Sequence, residues 1–78
     1  MITLRIISPE GERLSAEVEL VELPGTLGRF EVLRDHAPLI SSIEEGVIRY
    51  VAGNESREYP CQKGFVEVRN NVVTVCIG

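Results

Sequence analysis

Apolar and polar residues alternate with a period of two along most of the chain. In the clearest case, Ala16, Val18 and Leu20 alternate with Glu17 and Glu19. Successive side chains of a β-strand point to opposite faces. This alternation therefore predicts a strand with one buried face and one solvated face.

The alternation changes parity at Leu20-Val21, where two apolar residues are adjacent. After this point the apolar positions are Val21 and Leu23, with Glu22 between them. An extra residue in one strand moves the following side chains to the other face, so a β-bulge at Leu20-Val21 is one cause of the change.

Further strands are predicted where β-branched residues recur between residues that favour turns. No window of about twelve residues has a helical period. Short strands at turn intervals of roughly ten residues predict an all-β fold, a small β-sandwich or flattened barrel of about 8–10 mostly antiparallel strands. The further strands are Thr3–Ile7, Gly28–Val32, Leu39–Ile43, Val47–Val51, Arg57–Cys61, Gly64–Val68 and Val72–Cys76. The predicted turns are Pro9-Glu10-Gly11, Pro24-Gly25, Gly46 after two glutamates, Gly53-Asn54 and Asn70-Asn71.

Length and composition indicate one domain, residues 1–78, with an aliphatic core. The chain has 78 residues, of which 44% are apolar, and its four aromatic residues include no tryptophan. Val, Ile and Leu must therefore fill the core. A domain of this size buries only ~60% of its unfolded surface, which favours docking onto partners as a source of stability.

The net charge of −4 argues against binding to nucleic acid, which requires a basic surface. No basic run or long apolar segment indicates insertion into a membrane, and the first residues have no signal-peptide pattern, so we expect a cytosolic chain. The cysteines lack metal-type spacing, which predicts free thiols and no metal site. We expect Cys76 to fill a buried strand position and Cys61 to be partly exposed.

His36 is the one histidine, and it follows Asp35. Together with Ser41 or Ser42 it gives a weak candidate for a hydrolytic triad, so a small hydrolase is a distant alternative. A structural or interfacial role for His36 is the more common case. No cofactor or small-molecule substrate is indicated by any motif.

The segment from Leu23 to Ile43 contains more apolar residues than so small a core can enclose. An apolar surface that is left over is a docking surface. A β-sandwich adaptor without catalytic activity is therefore an interpretation that composition alone supports. The apolar residues in question are Leu27, Phe30, Val32, Leu33, Leu39 and Ile40.

A series of short motifs runs in order along the chain. The motifs are Ile6-Ile7-Ser8-Pro9-Glu10-Gly11, Leu23-Pro24-Gly25-Thr26, Gly28-x-Phe30-x-Val32-Leu33, His36-Ala37-Pro38-Leu39, Gly64-Phe65-Val66-Glu67-Val68 and Val73-Thr74-Val75. Each motif is weak by itself, but the order and spacing are specific. The series resembles the N-terminal β-sandwich of the ε subunit of F-type ATP synthase over essentially the whole chain.

This resemblance implies a rotor subunit of the central stalk, without chemistry of its own. Such a subunit couples the γ subunit to the membrane c-ring, so that proton- or sodium-driven rotation of the ring turns the shaft. The implied partners are γ and the c-ring. The implied location is peripheral, at the cytoplasmic face of the cell membrane.

Individual contacts can be transferred from the family by position. The resemblance implies a c-ring contact at the turn of Leu27, Gly28, Arg29, Phe30 and Glu31, and at His36. It implies a γ contact at Ser8, His36 and Ser41.

The chain departs from the family pattern at three places. Arg29 stands where an acidic residue is common, and Glu31 replaces a usual glycine; our hypothesis is that Glu31 takes over the acidic contact to an arginine of the ring. Arg34-Asp35 replaces a common Pro-Gly before the histidine. Family members continue after the last strand into a C-terminal helical hairpin; if 78 residues is the natural length of this chain, we expect it to lack inhibition through that hairpin.

Overall fold

Nine β-strands follow one another in the computed structural model, which describes residues 1–78 and contains no helix. This confirms the predicted all-β class. The strands are β1 Ile2–Ser8, β2 Gly11–Val18, β3 Leu20–Gly25, β4 Gly28–Val32, β5 Leu39–Ile43, β6 Gly46–Ala52, β7 Glu55–Cys61, β8 Gly64–Arg69 and β9 Val72–Ile77.

The strands form one curled sheet in the order β2-β1-β9-β8-β5-β3-β6-β7, and β4 pairs with β3 outside this series. All pairs are antiparallel except β1 with β9. The sheet folds back on itself, so that β2 also comes near β6. The result is the sandwich-like, mostly antiparallel architecture that the alternation predicts.

Fifteen buried apolar residues form a single core, and no polar or charged residue is buried with them. Aliphatic side chains dominate, and Tyr50 is the one aromatic residue among them. The core members are Ile2, Leu4, Ile6, Val18, Val21, Leu23, Val32, Ile43, Ile48, Tyr50, Cys61, Val66, Val68, Val73 and Val75.

Three predicted turns are confirmed as two-residue hairpins. Pro9-Glu10 joins β1 to β2, and Gly53-Asn54 joins β6 to β7. Asn70-Asn71 joins β8 to β9 with φ of 52° and 61°. Two positive φ values in a row are typical of a type I′ turn, which asparagine tolerates.

The parity change at Leu20-Val21 has a different cause from the predicted bulge. β2 ends at Val18 and β3 begins at Leu20, so a bend at Glu19 lets the chain leave one ladder and join another. The β3–β6 register through Leu20 and Val21 is regular. The actual bulge lies in β2, where Arg13 is the extra residue between the partners of Ile6 and Ile7.

The turn predicted at Pro24-Gly25 is also wrong. Both residues belong to β3, and the two-residue turn is Thr26-Leu27, with Gly25 paired to Gly28. Pro24 fits inside the strand because β4 does not need its backbone N–H. The carbonyl oxygen of Pro24 accepts a hydrogen bond from Glu44 N at 2.8 Å, so its backbone groups point away from β4.

The burial of the two cysteines is the reverse of what the sequence predicts. Cys61 is buried in the core and Cys76 is half-buried, and both thiols are free. Burial raises the pKa of the Cys61 thiol. None of the chain's elements is a helix that could cross a membrane.

Candidate protein interface

The β3–β4 hairpin projects Leu27 at its tip, where the side chain is fully exposed. Gly25 and Gly28 close the hairpin on either side of the turn. A Cβ on Gly25 would lie 2.7 Å from the Gly28 carbonyl oxygen and 2.9 Å from the Phe30 ring. Gly28 has φ of +131°, which disfavours any side chain. Both glycines are thus required for a tip this tight.

Contacts with β5 hold the tip in place. The backbone N–H of Thr26 donates to the Ser42 carbonyl oxygen at 3.2 Å. The two hydroxyl groups of Thr26 and Ser42 also hydrogen-bond at 2.7 Å. Leu27 is therefore exposed on a turn that hydrogen bonds hold in place (a pinned turn), which lowers the entropy cost of ordering the leucine side chain in a complex.

Phe30 has a different role from Leu27. Its side chain is half-buried and packs against the core, whereas the neighbours Arg29 and Glu31 lie on the outer face of the sheet. Of the two large apolar residues in the turn that the resemblance implies as a c-ring contact, Leu27 alone is therefore free, and the ring of Phe30 lies beneath the turn.

An ion-pair network lies on the outer face beside this hairpin. Glu22 in β3 receives two hydrogen bonds from Arg49 in β6, at 2.9 and 3.4 Å, and one from Arg29 in β4 at 3.4 Å. The Arg49 guanidinium holds the pKa of the Glu22 carboxyl below its usual range, and Glu22 in turn raises the pKa of Arg49. Glu31 lies directly opposite Glu22 across the ladder and forms no ion pair.

His36 follows a hydrogen-bonded turn in which its N–H donates to the Leu33 carbonyl oxygen at 3.2 Å. Asp35 has φ of 65° at the third position, which is the pattern of a type II turn. The departure from Pro-Gly thus keeps the turn geometry. His36 Nδ1 lies 2.7 Å from the Ala37 carbonyl oxygen, which only accepts, so Nδ1 carries the proton of the neutral ring.

The β8–β9 turn holds Asp35 in this unusual conformation. Asn71 Oδ1 accepts from the Asp35 backbone N–H at 2.7 Å, and Asn71 Nδ2 donates to Asp35 Oδ1 at 3.1 Å. These two bonds join turns that are 36 residues apart in the chain. They fix the loop from which His36 projects.

The structure separates the predicted contact residues into distinct places. Ser41 lies in β5 next to the Leu27 tip, and its hydroxyl donates to the Ser42 carbonyl oxygen at 3.0 Å. His36 lies at the far end of β4 and β5, so it is not brought together with Leu27. Neither Ser41 nor Ser42 hydrogen-bonds to His36, so the geometry gives no support to a triad.

Ser8 lies at the end of β1, three strands from β5. Its hydroxyl accepts a hydrogen bond from Arg13 Nε at 2.9 Å and lies within 3.2 Å of acceptors on Glu10 and Gly11. A groove of about 340 Å³ lies beside it, between the β1–β2 turn, the end of β7 and Gly78. The predicted γ contacts therefore occupy separate parts of the surface.

The apolar excess between Leu23 and Ile43 is only partly on the surface. Leu27, Leu33 and Ile40 are exposed, so the core does not enclose all six residues. Val32 is buried, and Phe30 and Leu39 pack against the core from the inner face. No three His, Cys, Asp or Glu side chains are grouped so that they could hold a metal ion.

Sequence reasoning misses the residues that hold the candidate interface in position. The alternation presents Glu22 as a solvated position, and the turn pattern presents Asn71 only as a turn residue. Their charges and amide groups are visible in the sequence, but their partners are defined by the strand register. The missed residues are Glu22, Arg49, Thr26, Ser42 and Asn71, of which Ser42 enters the sequence analysis only as a nucleophile.

Comparison with known proteins identifies relatives over the whole chain. Residues 1–78 match the family described as ATP synthase, Delta/Epsilon chain, beta-sandwich domain. The ATP synthase epsilon chain of Desulfitobacterium hafniense is 52% identical over 73 residues, which cover 94% of this chain and 55% of that protein. The ATP synthase epsilon chain of Magnetococcus marinus is 41% identical over 76 residues, 97% of this chain and 56% of that protein.

A chain in the mitochondrial ATP synthase of Euglena gracilis, solved as an OSCP/F1/c-ring assembly, has the same fold. It has a TM-score of 0.89 at 22% identity, over 97% of this chain and 49% of that chain. The present chain spans about half the length of the curated relatives it matches, 55% for the first of them. By the match across all of its residues, the chain belongs to the ATP synthase delta/epsilon chain family, of which it contains the beta-sandwich domain.

Proposed function

We propose that this chain is a coupling subunit of the central stalk of an F-type ATP synthase. It holds the γ subunit against the c-ring and transmits rotation between them, and it contributes no catalytic group. One observation carries the proposal: a chain of this family presents a fully exposed leucine on a pinned hairpin tip. An apolar anchor on a rigid support suits a contact that transmits torque.

The c-ring contact is proposed at the β3–β4 hairpin, with Leu27 as its apolar anchor. Arg29 is engaged within the domain, by Glu22 and by the Val47 carbonyl oxygen at 2.9 Å. Glu31 is exposed and forms no ion pair within the domain. Glu31 is therefore the acidic group of the hairpin that is available to an arginine on a polar loop of the ring.

The γ contact is proposed at Ser8, His36 and Ser41, and a second ring contact at His36. The fixed Nδ1 proton leaves Nε2 of His36 as the ring nitrogen available to a partner. We place the subunit at the cytoplasmic face of the cell membrane as a peripheral part of the complex. The driving ion, proton or sodium, is a property of the ring.

The test is co-purification of the tagged chain with γ and c subunits from the same genome. Wild type is expected to capture both, and Leu27→Ala and Glu31→Arg are expected to weaken capture of the c-ring. Glu17→Arg is the matched control because Glu17 is an exposed acid that forms no ion pair, in β2 at the other end of the strand order from β6 and β7. Capture of neither subunit by wild type would refute the proposal, and undiminished capture by Leu27→Ala and Glu31→Arg would refute the assigned contacts.

A further inference from the structure

The ladder between β3 and β6 stops before β3 ends. In antiparallel strands, hydrogen-bonded pairs recur at every second residue. Glu22 pairs with Arg49, and the same register would next bring Pro24 opposite Val47. Pro24 has no N–H to donate, so the Val47 carbonyl oxygen has no strand donor at this place.

Arg29, in the edge strand β4, supplies the missing donor to the Val47 carbonyl oxygen. Arg29 lies in β4, directly opposite Pro24 of β3. The guanidinium passes over β3, and Nη2 donates to the Val47 carbonyl oxygen at 2.9 Å. Nη2 also lies 3.4 Å from Glu22 Oε1, so one side chain joins β4, β3 and β6.

The β3–β4 hairpin ends in an edge strand, so contacts made from β3 and across it decide how its tip is held. β4 pairs with β3 alone and has no strand on its other side. Near its tip, the attachments to the remaining sheet are the Thr26–Ser42 bonds towards β5, the backbone bond from Glu44 to Pro24, and the Arg29–Val47 bond towards β6. β5 and β6 follow one another along the edge of β3 that faces away from β4, so these attachments together define the direction of the tip.

We infer that Arg29 is a positioning residue: it latches the β3–β4 hairpin to β6 by replacing the ladder bond that Pro24 removes, and thereby orients Leu27 towards its partner. This inference rests on the proposed function for the identity of the partner. The latch itself is a property of the domain and can be tested without any partner.

The central variant is Arg29→Met, which removes the guanidinium and retains an apolar stem. Amide hydrogen exchange at Thr26, whose N–H bonds to the Ser42 carbonyl oxygen, and at Gly28 is expected to become about tenfold faster, because a charged hydrogen bond that restrains local opening is lost. The dissociation constant for the purified γ–c-ring subcomplex is expected to rise by about three- to tenfold. Arg57→Met is the matched control, since the one ion pair of Arg57 is with Glu55 in the same exposed strand, β7.

A second variant restores the donor by different chemistry. Pro24→Ala provides a backbone N–H opposite Val47, so Arg29→Met combined with Pro24→Ala is expected to recover exchange rates within about threefold of wild type. A purely electrostatic role for Arg29 would give no such recovery. The double variant also answers the case in which Arg29→Met folds poorly, because recovery of the fold by Pro24→Ala supports the same hydrogen bond.

The outcomes separate the latch from the proposed function. Unchanged exchange in Arg29→Met, or no rescue by Pro24→Ala, overturns the latch. Faster exchange with unchanged affinity overturns the orienting role. If wild type does not bind the subcomplex, the proposed function and the orienting role both fail, while the exchange measurements still decide whether Arg29 closes the gap in the ladder.

Discussion

Gly64 begins β8 in a place where no side chain fits. A Cβ at this position would overlap the Cys76 carbonyl oxygen and would lie 2.9 Å from the carbon of the same carbonyl group. These are backbone atoms of the neighbouring strand β9, which cannot rotate away as a side chain can. Gly64→Ala is therefore expected to push the end of β8 away from β9.

The expected cost combines two effects. Overpacking costs about 1–3 kcal/mol, and loss of a strand hydrogen bond at the Gly64–Ile77 pair adds about 1 kcal/mol. The total of about 2–4 kcal/mol is a large part of the roughly 4–12 kcal/mol expected for a chain of 78 residues. For a domain of this size, that corresponds to a fall in Tm of roughly 10–25 °C.

Urea denaturation with linear extrapolation measures the change, provided that the m-value stays constant. Gly53→Ala is the informative comparison, because Gly53 has φ of +66° but no atom within 4 Å of the place that a Cβ would occupy. That variant adds only backbone strain, about 1–2 kcal/mol. If Gly64→Ala lowers stability no more than Gly53→Ala does, the steric argument is refuted.

Three further predictions concern single side chains. The folded-state pKa of Glu22 lies below its ordinary value of 4.5. The contribution of this carboxylate to stability is therefore present above that value and is lost as the pH falls through the folded-state pKa. Glu22→Gln should remove this acid-dependent part of the free energy of unfolding, measured by denaturation from pH 6 to 3, and an unchanged pH dependence would contradict the prediction. Cys76, which is half-buried, should react with a thiol reagent before the buried Cys61 does, as peptide mapping after brief labelling can show; faster labelling of Cys61 would be the contrary result. Leu23→Ala should cost about 2–5 kcal/mol because the side chain is fully buried, whereas Leu27→Ala should leave the free energy of unfolding nearly unchanged; equal losses in denaturation would count against the assigned burial.

The fold could be predicted where local chemistry determines the structure. Asn70-Asn71 and Gly53-Asn54 are turns because their residues tolerate positive φ, and the alternation of Val, Ile and Leu defines which face is buried. Pro24-Gly25 misled the prediction because proline also fits a strand position whose N–H is not used by its β4 neighbour. Whether Pro24 lies in a turn or in a strand depends on where the ladder between β3 and β6 ends, and this is a property of the tertiary structure.

The candidate interface could be predicted less completely. Leu27 is recognisable as an apolar residue between glycines, but its neighbour Phe30 is half-buried for reasons of packing. The ion pairs of Glu22 and the hydrogen bonds of Asn71 join residues that are distant in sequence. Such pairs follow from strand register, and a single sequence does not contain the register directly.

Site-specific photocrosslinking from the hairpin tip tests the central claim most directly. A benzoylphenylalanine at Leu27 would be activated in the assembled ATP synthase, with the same group at Ser56 in β7 as the control. The account predicts a crosslink from position 27 to a c subunit and none to it from position 56. A tip that crosslinks to no c subunit, while the chain is present in the complex, would contradict the proposal that this hairpin is the contact with the ring.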